Sequence, residues 1–160
     1  MRYQKIYNTP NGFSNMIMES DGKSLSKLYF QEKVEIIEER NLPIFELTEK
    51  WLDNYFKGEK TNDVPNYKLE GTTPFREKIM KIIKEIPYGE TITYGEIAKI
   101  VSPNEKKMSS QAVGNAVGWN PICIIIPCHR VIGKNNKLIG YSGGINNKKA
   151  LLELEKMNTK

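Results

Sequence analysis

Between Tyr3 and Phe30 short apolar and aromatic stretches are cut by Asn11-Gly12 and Asp21-Gly22. Asn-Gly and Asp-Gly tolerate the positive φ of tight hairpin turns, so the pattern predicts an antiparallel meander. The period then changes. After Pro43, residues Ile44, Leu47, Trp51, Leu52 and Tyr55 recur at helical spacing and Gly58 supplies a stop, so a helix completes a small α/β N-terminal unit. Residues 58–72 are polar and contain Pro65 and two glycines, which marks a linker. The expected domains are therefore residues 1–71 and 72–160.

The second half reads mainly as helix. Phe75, Ile79, Ile82, Ile83 and Ile86 form one apolar stripe after Pro74, ended by Pro87-Tyr88-Gly89. Thr93-Tyr94-Gly95-Glu96 matches a capping box and opens a short helix through Ile100, which Ser102-Pro103 breaks. Another short helix starts near Ser109 or Ser110, runs through Ala112, Val113, Ala116 and Val117, and stops at Asn120-Pro121. Two short helices across a turn have the form of a helix-turn-helix, although helical pairs also occur in many small folds. Ile122-Cys123-Ile124-Ile125-Ile126 is too short for a core helix and predicts a buried extended segment leading to Pro127-Cys128-His129-Arg130. Gly133 to Asn136 reads as a turn, Tyr141-Ser142-Gly143-Gly144 as a flexible loop, and Ile145 to Lys156 as a final helix burying Leu151, Leu152 and Leu154.

Charge sharpens the division. Residues 1–71 carry 10 Lys/Arg against 12 Asp/Glu, and residues 72–160 carry 14 against 7. A basic half beside a slightly acidic one fits contact of the second half with a polyanion, and scattered solvated lysines would give the same numbers. A chain of 160 residues with 39% apolar content can bury an ordinary core. It has no apolar run of about 18 residues, and Met1 to Ser20 lacks a secretory pattern, so a cytoplasmic protein without membrane contact is expected.

Cys123 and Cys128 are too close in sequence to staple a fold and do not form C-x-x-C. With one histidine, His129, they do not make an ordinary four-ligand zinc site, so no metal is expected. Cys128 sits beside an imidazole and a guanidinium, positive neighbours that favour a thiolate and make it a candidate nucleophile. Adjacent residues often point apart, however, and a free cysteine is commonly a small core residue. Cys123, within the isoleucine run, reads as core.

Pro127-Cys128-His129-Arg130-Val131, preceded by Asn120-Pro121 and followed by Tyr141-Ser142-Gly143-Gly144, resembles the active-site signature of the O6-alkylguanine-DNA alkyltransferase family. The likeness extends through Gly71-Thr72-Thr73-Pro74-Phe75, Pro87-Tyr88-Gly89 and Thr93-Tyr94, and on to Glu155; the first half agrees in length and outline, best at Leu52-Asp53-Asn54-Tyr55-Phe56. The resemblance implies an α/β fold, with a small ribonuclease-H-like sheet-plus-helix unit followed by a mainly helical, winged-helix or helix-turn-helix-like DNA-binding domain. It implies a monomer that needs no cofactor and acts on double-stranded DNA containing O6-alkylguanine. The alkyl group, typically methyl, would pass irreversibly from O6 of guanine to Cys128 after base flipping, with O4 of thymine a secondary target.

The same resemblance assigns roles. His129 would take the thiol proton through a water and Glu155 would orient His129. Tyr94 would donate to N3 of guanine, the Ser142 N–H would contact O6, and the carbonyls of Cys128 and Val131 would read the exocyclic amine. Tyr141 and Asn120 join the substrate-binding set, Asn120 as a hinge. Ser110, Gln111, Ala112, Gly114 and Arg130 would meet DNA, with the second helix entering the minor groove. Gln111 departs from the family pattern, which has an arginine that fills the gap left by the flipped base. Two competing readings are a lesion sensor without transfer, which the retained Cys128 argues against, and a helix-turn-helix regulator using the same basic surface.

Overall fold

The computed structural model of the chain describes residues 2–31, 38–60, 63–103, 109–138 and 141–159. Its backbone divides into two compact units, Met1–Glu70 with Pro121–Cys123, and Gly71–Asn120 with Ile124–Lys160. No helix among the described residues is long and apolar enough to cross a membrane.

In the first unit β1 (Tyr3–Tyr7), β2 (Met16–Ser20) and β3 (Leu25–Phe30) form an antiparallel sheet in sequence order, with Ile6 opposite Ile17 and Met18 opposite Leu28. Gly12 and Gly22 take φ of 100° and 112° in the intervening turns, as the sequence requires. Helix α1 (Pro43–Phe56) buries Ile44, Phe45, Thr48, Trp51, Leu52 and Tyr55 along one stripe, and Leu47, counted inward by its spacing, is exposed. The expected linker contributes structure of its own: the Leu25 N–H donates to the Asn66 carbonyl and the Lys68 N–H to the Leu25 carbonyl, both at 2.9 Å. Residues 61 and 62 of that stretch lie outside the described residues. Pro121–Cys123 joins the unit through Leu28, whose N–H donates to the Pro121 carbonyl and whose carbonyl accepts from the Cys123 N–H, each at 2.8 Å.

The second unit is mainly helical. Thr73 caps α2 (Pro74–Lys84), and the expected capping box of Thr93 and Glu96 opens α3 (Tyr94–Val101). Ser109 caps α4 (Ser110–Gly118), which buries Val113, Ala116 and Val117. Two-residue strands β4 (Ile92–Thr93) and β5 (Val131–Ile132) pair in parallel, Ile92 with Val131 and Thr93 with Ile132. This short pairing joins the start of α3 to the segment that carries the cysteine.

Two further local expectations change. The isoleucine run is buried throughout, yet it is not extended: Ile124 and Ile125 form a turn, with Ile124 at φ 69°. Six extended residues would span about 20 Å, whereas the buried Asn120 side chain donates to the Ile126 carbonyl at 2.8 Å and closes the segment into a loop. The other change concerns α5 (Ile145–Met157). Leu151 is buried, but Leu152 and Leu154 are only half-buried, and the inward face carries Asn147, Lys148 and Glu155. Apolar spacing found the helix and misjudged its face, because its buried positions are mostly polar.

Candidate active site

The loop closed by Asn120 delivers Cys128, His129 and Arg130 as a single 3₁₀ turn, fixed by N–H bonds from Cys128 to Ile126 and from Arg130 to Pro127. Cys128 is 2% exposed, His129 0% and Arg130 8%. Three successive side chains of this kind stay in the interior only when polar partners are provided, since an uncompensated buried charge is expensive.

Glu155 of α5 provides them. Its side chain is 1% exposed, and it receives four hydrogen bonds. His129 Nε2 lies 2.6 Å from Oε2; Arg130 donates from Nε to Oε1 at 2.8 Å and from Nη2 to Oε2 at 3.0 Å; the Gly89 N–H donates to Oε1 at 3.0 Å. Burial pushes the Glu155 carboxyl up, but the bonds and charges of His129 and Arg130 outweigh it and bring the pKa down to about 2. Burial lowers the His129 pKa against the pull of Glu155, and the charges of Arg130 and Lys148 add to that lowering. An ionised carboxylate only accepts, so a neutral His129 must carry its proton on Nε2 and keep its lone pair on Nδ1. Glu155 thereby fixes the tautomer in which Nδ1 can act as a base.

Arg130, expected among the DNA-facing residues, instead has its guanidinium bound within the unit: besides Glu155 it donates to the Ile86 carbonyl at 2.7 Å and lies 5.5 Å from the Tyr88 ring centroid. The sequence reading gave Ile86 to an apolar stripe and Gly89 to the turn that ends it, and assigned neither a part in the site. Gly89 has φ 83°, and a Cβ there would collide with the Thr159 side chain, so this turn admits only glycine while presenting its amide to Glu155.

Tyr94, the first residue of α3, is half-buried. Burial raises its pKa, and the charge of Cys128 raises it further, which keeps the phenol protonated at neutral pH and places it within electrostatic reach of the sulfur. Gly114 of α4 sits against the Tyr94 ring, where a Cβ would come within 3.9 Å of Cε1. Along α4, Ser110 and Gln111 are exposed and Ala112 and Gly114 half-buried, so the start of this helix presents a surface of small and polar groups.

The remaining expected binding residues are held by α5. Val131 is buried, and its carbonyl accepts from Lys148 Nζ at 2.6 Å. Tyr141 and Ser142 lie in a turn in which the Gly144 N–H donates to the Tyr141 carbonyl at 2.9 Å and Asn147 Nδ2 to the Gly143 carbonyl at 2.7 Å; Tyr141 is half-buried and Ser142 exposed. Neither Asn147 nor Lys148 was recognised in the sequence. The signal was available, since Lys148, Leu151 and Glu155 repeat at i, i+3 and i+7 on one helical face.

A buried thiol next in sequence to a histidine whose tautomer is fixed by a carboxylate, in a mainly helical unit, has the make-up of a cysteine-nucleophile site. Comparison with known proteins narrows it. Residues 74–157 match the family model described as the DNA-binding domain of 6-O-methylguanine DNA methyltransferase. A methylated-DNA–protein-cysteine methyltransferase of Mycobacterium tuberculosis is 54% identical over 106 residues, which are 66% of this chain and 61% of the relative. A protein of the same name from Methanosarcina acetivorans is 41% identical over 96% of this chain and 97% of its own length. Among solved structures, Mycobacterium tuberculosis OGT in complex with DNA superposes with a TM-score of 0.82 at 39% identity, over 98% of this chain and 94% of that one. The chain belongs to the methylated-DNA–protein-cysteine methyltransferase family.

Proposed function

We propose that this protein repairs DNA by taking the alkyl group from O6 of guanine onto Cys128 in a single, irreversible turnover. The observation that carries this reading is the 2.6 Å contact of His129 with a fourfold-bonded Glu155, directly beside a buried thiol. His129 Nδ1 takes the thiol proton through a water. The thiolate attacks the alkyl carbon, the carbon–O6 bond breaks, and its electron pair passes into the guanine ring. Tyr94 donates to N3 as that charge develops, the Ser142 N–H contacts O6, and the carbonyls of Cys128 and Val131 accept from the exocyclic amine. The thioether has no leaving group, so nothing regenerates the thiol.

The partner is double-stranded DNA, supported by the family and by the DNA-bound structural relative. Ser110, Gln111, Ala112 and Gly114 form the surface that approaches the groove, and Asn120, bonded to Ile126, joins this helix to the reactive loop. The protein acts as a monomer in the cytoplasm. Arg130 we assign to holding Glu155 rather than phosphate. The decisive experiment is intact-protein mass after incubation with DNA containing O6-methylguanine, followed by peptide mapping. The expected result is one added methyl, on Cys128 and not on Cys123, with no second turnover. A label on Cys123, or methylated protein that continues to react, overturns the mechanism; tight DNA binding with no added mass identifies a sensor or regulator.

Gln111 gives a separate expectation. Turning a base out of the stack costs a few kcal/mol, which an arginine at this exposed position would offset by filling the gap with a charge-assisted contact. Gln111→Arg is expected to speed repair of duplex DNA and leave reaction with O6-benzylguanine nearly unchanged, at equal salt. Equal acceleration of both substrates would place Gln111 elsewhere than at the vacated stack.

A further inference from the structure

A carboxylate in contact with an imidazole ordinarily favours the charged ring, because an opposite charge stabilises the protonated form. Glu155 touches His129 in this way, with Oε2 at 2.6 Å from Nε2. The same carboxylate also receives Arg130 as a fork, Nε to Oε1 at 2.8 Å and Nη2 to Oε2 at 3.0 Å, so the ring and the guanidinium share Oε2. The arginine charge is permanent. With Glu155 ionised, Glu155 and Arg130 sum to zero while His129 is neutral. A proton on His129 would leave a net positive charge among side chains that are 0%, 1% and 8% exposed. Unbalanced charge in such a place is expensive. Without the guanidinium the count reverses, and the carboxylate would draw the proton onto the ring as its counter-ion.

We propose that Arg130 is a positioning residue of alkyl transfer, whose fixed charge answers the Glu155 carboxylate and so keeps His129 neutral, the form in which Nδ1 takes the thiol proton. This rests on the alkyl-transfer reading above. The part differs from bracing alone, because it needs a positive charge and not merely a side chain that fills the space. The anchoring of Arg130 suits it. Nη1 donates to the Ile86 carbonyl at 2.7 Å and the guanidinium lies 5.5 Å from the Tyr88 ring centroid, so the turn that offers the Gly89 N–H to Oε1 also holds the cation there. Burial lowers the His129 pKa, the Glu155 bond and charge raise it, and the Arg130 charge lowers it again, in agreement with this balance. The titratable and charged groups around His129 and Cys128 are Arg130 from the 3₁₀ turn, Tyr94 from α3, Tyr88 from the turn after α2, and Lys148 and Glu155 from α5. Lys148 acts on His129 in the same direction as Arg130, and both tyrosines are neutral at working pH because burial raises their pKa values.

His129 is the only histidine in the chain, so ring-nitrogen NMR of histidine-labelled protein reports the charge and tautomer of this imidazole alone. The test compares the full chain as wild type, Arg130→Met and Arg130→Lys, and follows single-turnover methyl transfer from O6-methylguanine DNA at pH 7 and pH 9. Wild-type His129 is expected to be neutral at pH 7, protonated on Nε2, with a midpoint below the ordinary value of about 6.5. Arg130→Met is expected to raise the midpoint to about 8, leaving roughly a tenth of the ring neutral at pH 7, with transfer about tenfold slower there and recovered at pH 9. Arg130→Lys keeps the charge and should hold the midpoint below about 6.5, even where loss of the fork lowers stability. An imidazolium in wild type at pH 7 overturns the proposal, and decides the matter even if Arg130→Met does not fold. A folded Arg130→Met with the wild-type midpoint overturns it too, as does a raised midpoint with transfer unchanged at pH 7, or a lysine variant that charges His129 as methionine does. No methyl uptake by wild type, with the His129 midpoints as expected, would sink the alkyl-transfer reading while supporting the hold of Arg130 on the ring's charge.

Discussion

Replacing Glu155 by glutamine is expected to lower stability by about 3–5 kcal/mol, the range for breaking a buried ion pair from one side. Glutamine matches the shape and keeps one acceptor oxygen, but it leaves Arg130, 8% exposed, without a counter-charge, its other contacts being the Ile86 carbonyl and the Tyr88 ring. The amide also sets a donor against Gly89 or Arg130. Urea unfolding at pH 7 reads the loss, and a value under about 1 kcal/mol would show that Arg130 does not depend on that charge. Acid should act on the same node in wild type. The Glu155 carboxyl is held near 2, below its unfolded value of about 4.3, so its contribution is complete above that value and is lost as pH falls from about 4.5 toward 2. His129 is also held below its unfolded value, so unfolding takes up a proton there and stability begins to fall below about pH 6.5. In Glu155→Gln the lower of these two phases should disappear.

Tyr94→Phe is expected to slow methyl transfer by ~10²-fold or more while leaving the fold close to wild type. The ring keeps its place at the start of α3 and its contact with Gly114, and only the hydroxyl is removed. That hydroxyl is protonated at neutral pH, because burial and the neighbouring sulfur both disfavour the phenolate. It therefore remains a donor throughout the reaction, and the loss should fall on the chemical step rather than on DNA binding. Single-turnover rates at saturating DNA measure it. An unchanged rate would remove Tyr94 from the mechanism and leave guanine to depart without help at N3.

The sequence was most informative where local chemistry decides structure. Asn11-Gly12 and Asp21-Gly22 located the hairpin turns, Pro43 and Pro74 the helix starts, and Thr93 with Glu96 the capping box, since each acts through a few neighbouring bonds. The cysteine, its histidine and Glu155 were legible through an ordered set of motifs, and the structure brings them together. The features that were missed depend on distant partners. A buried lysine looks like any helix-surface lysine until Val131 is seen to receive it, and Arg130 looks like a phosphate contact until Glu155 is seen to match it. The isoleucine run misled for the same reason: its β-branched composition favours extension, and a single hydrogen bond from Asn120 folds it into a loop.

The placement of Glu155 on α5, downstream of Cys128 and His129, has a consequence for biogenesis. Cys128 leaves the ribosome first, and Glu155 follows His129 by 26 residues. At ordinary rates of synthesis that interval is about 1–5 s, during which His129 exists without the carboxylate that holds its Nε2. On the mechanism proposed above, an unfinished chain lacks the His129–Glu155 pair beside Cys128, and the site becomes competent only when the helix has docked. A protein that reacts once, as proposed, gains from this order, because electrophiles met during synthesis find a thiol without its proposed base in place.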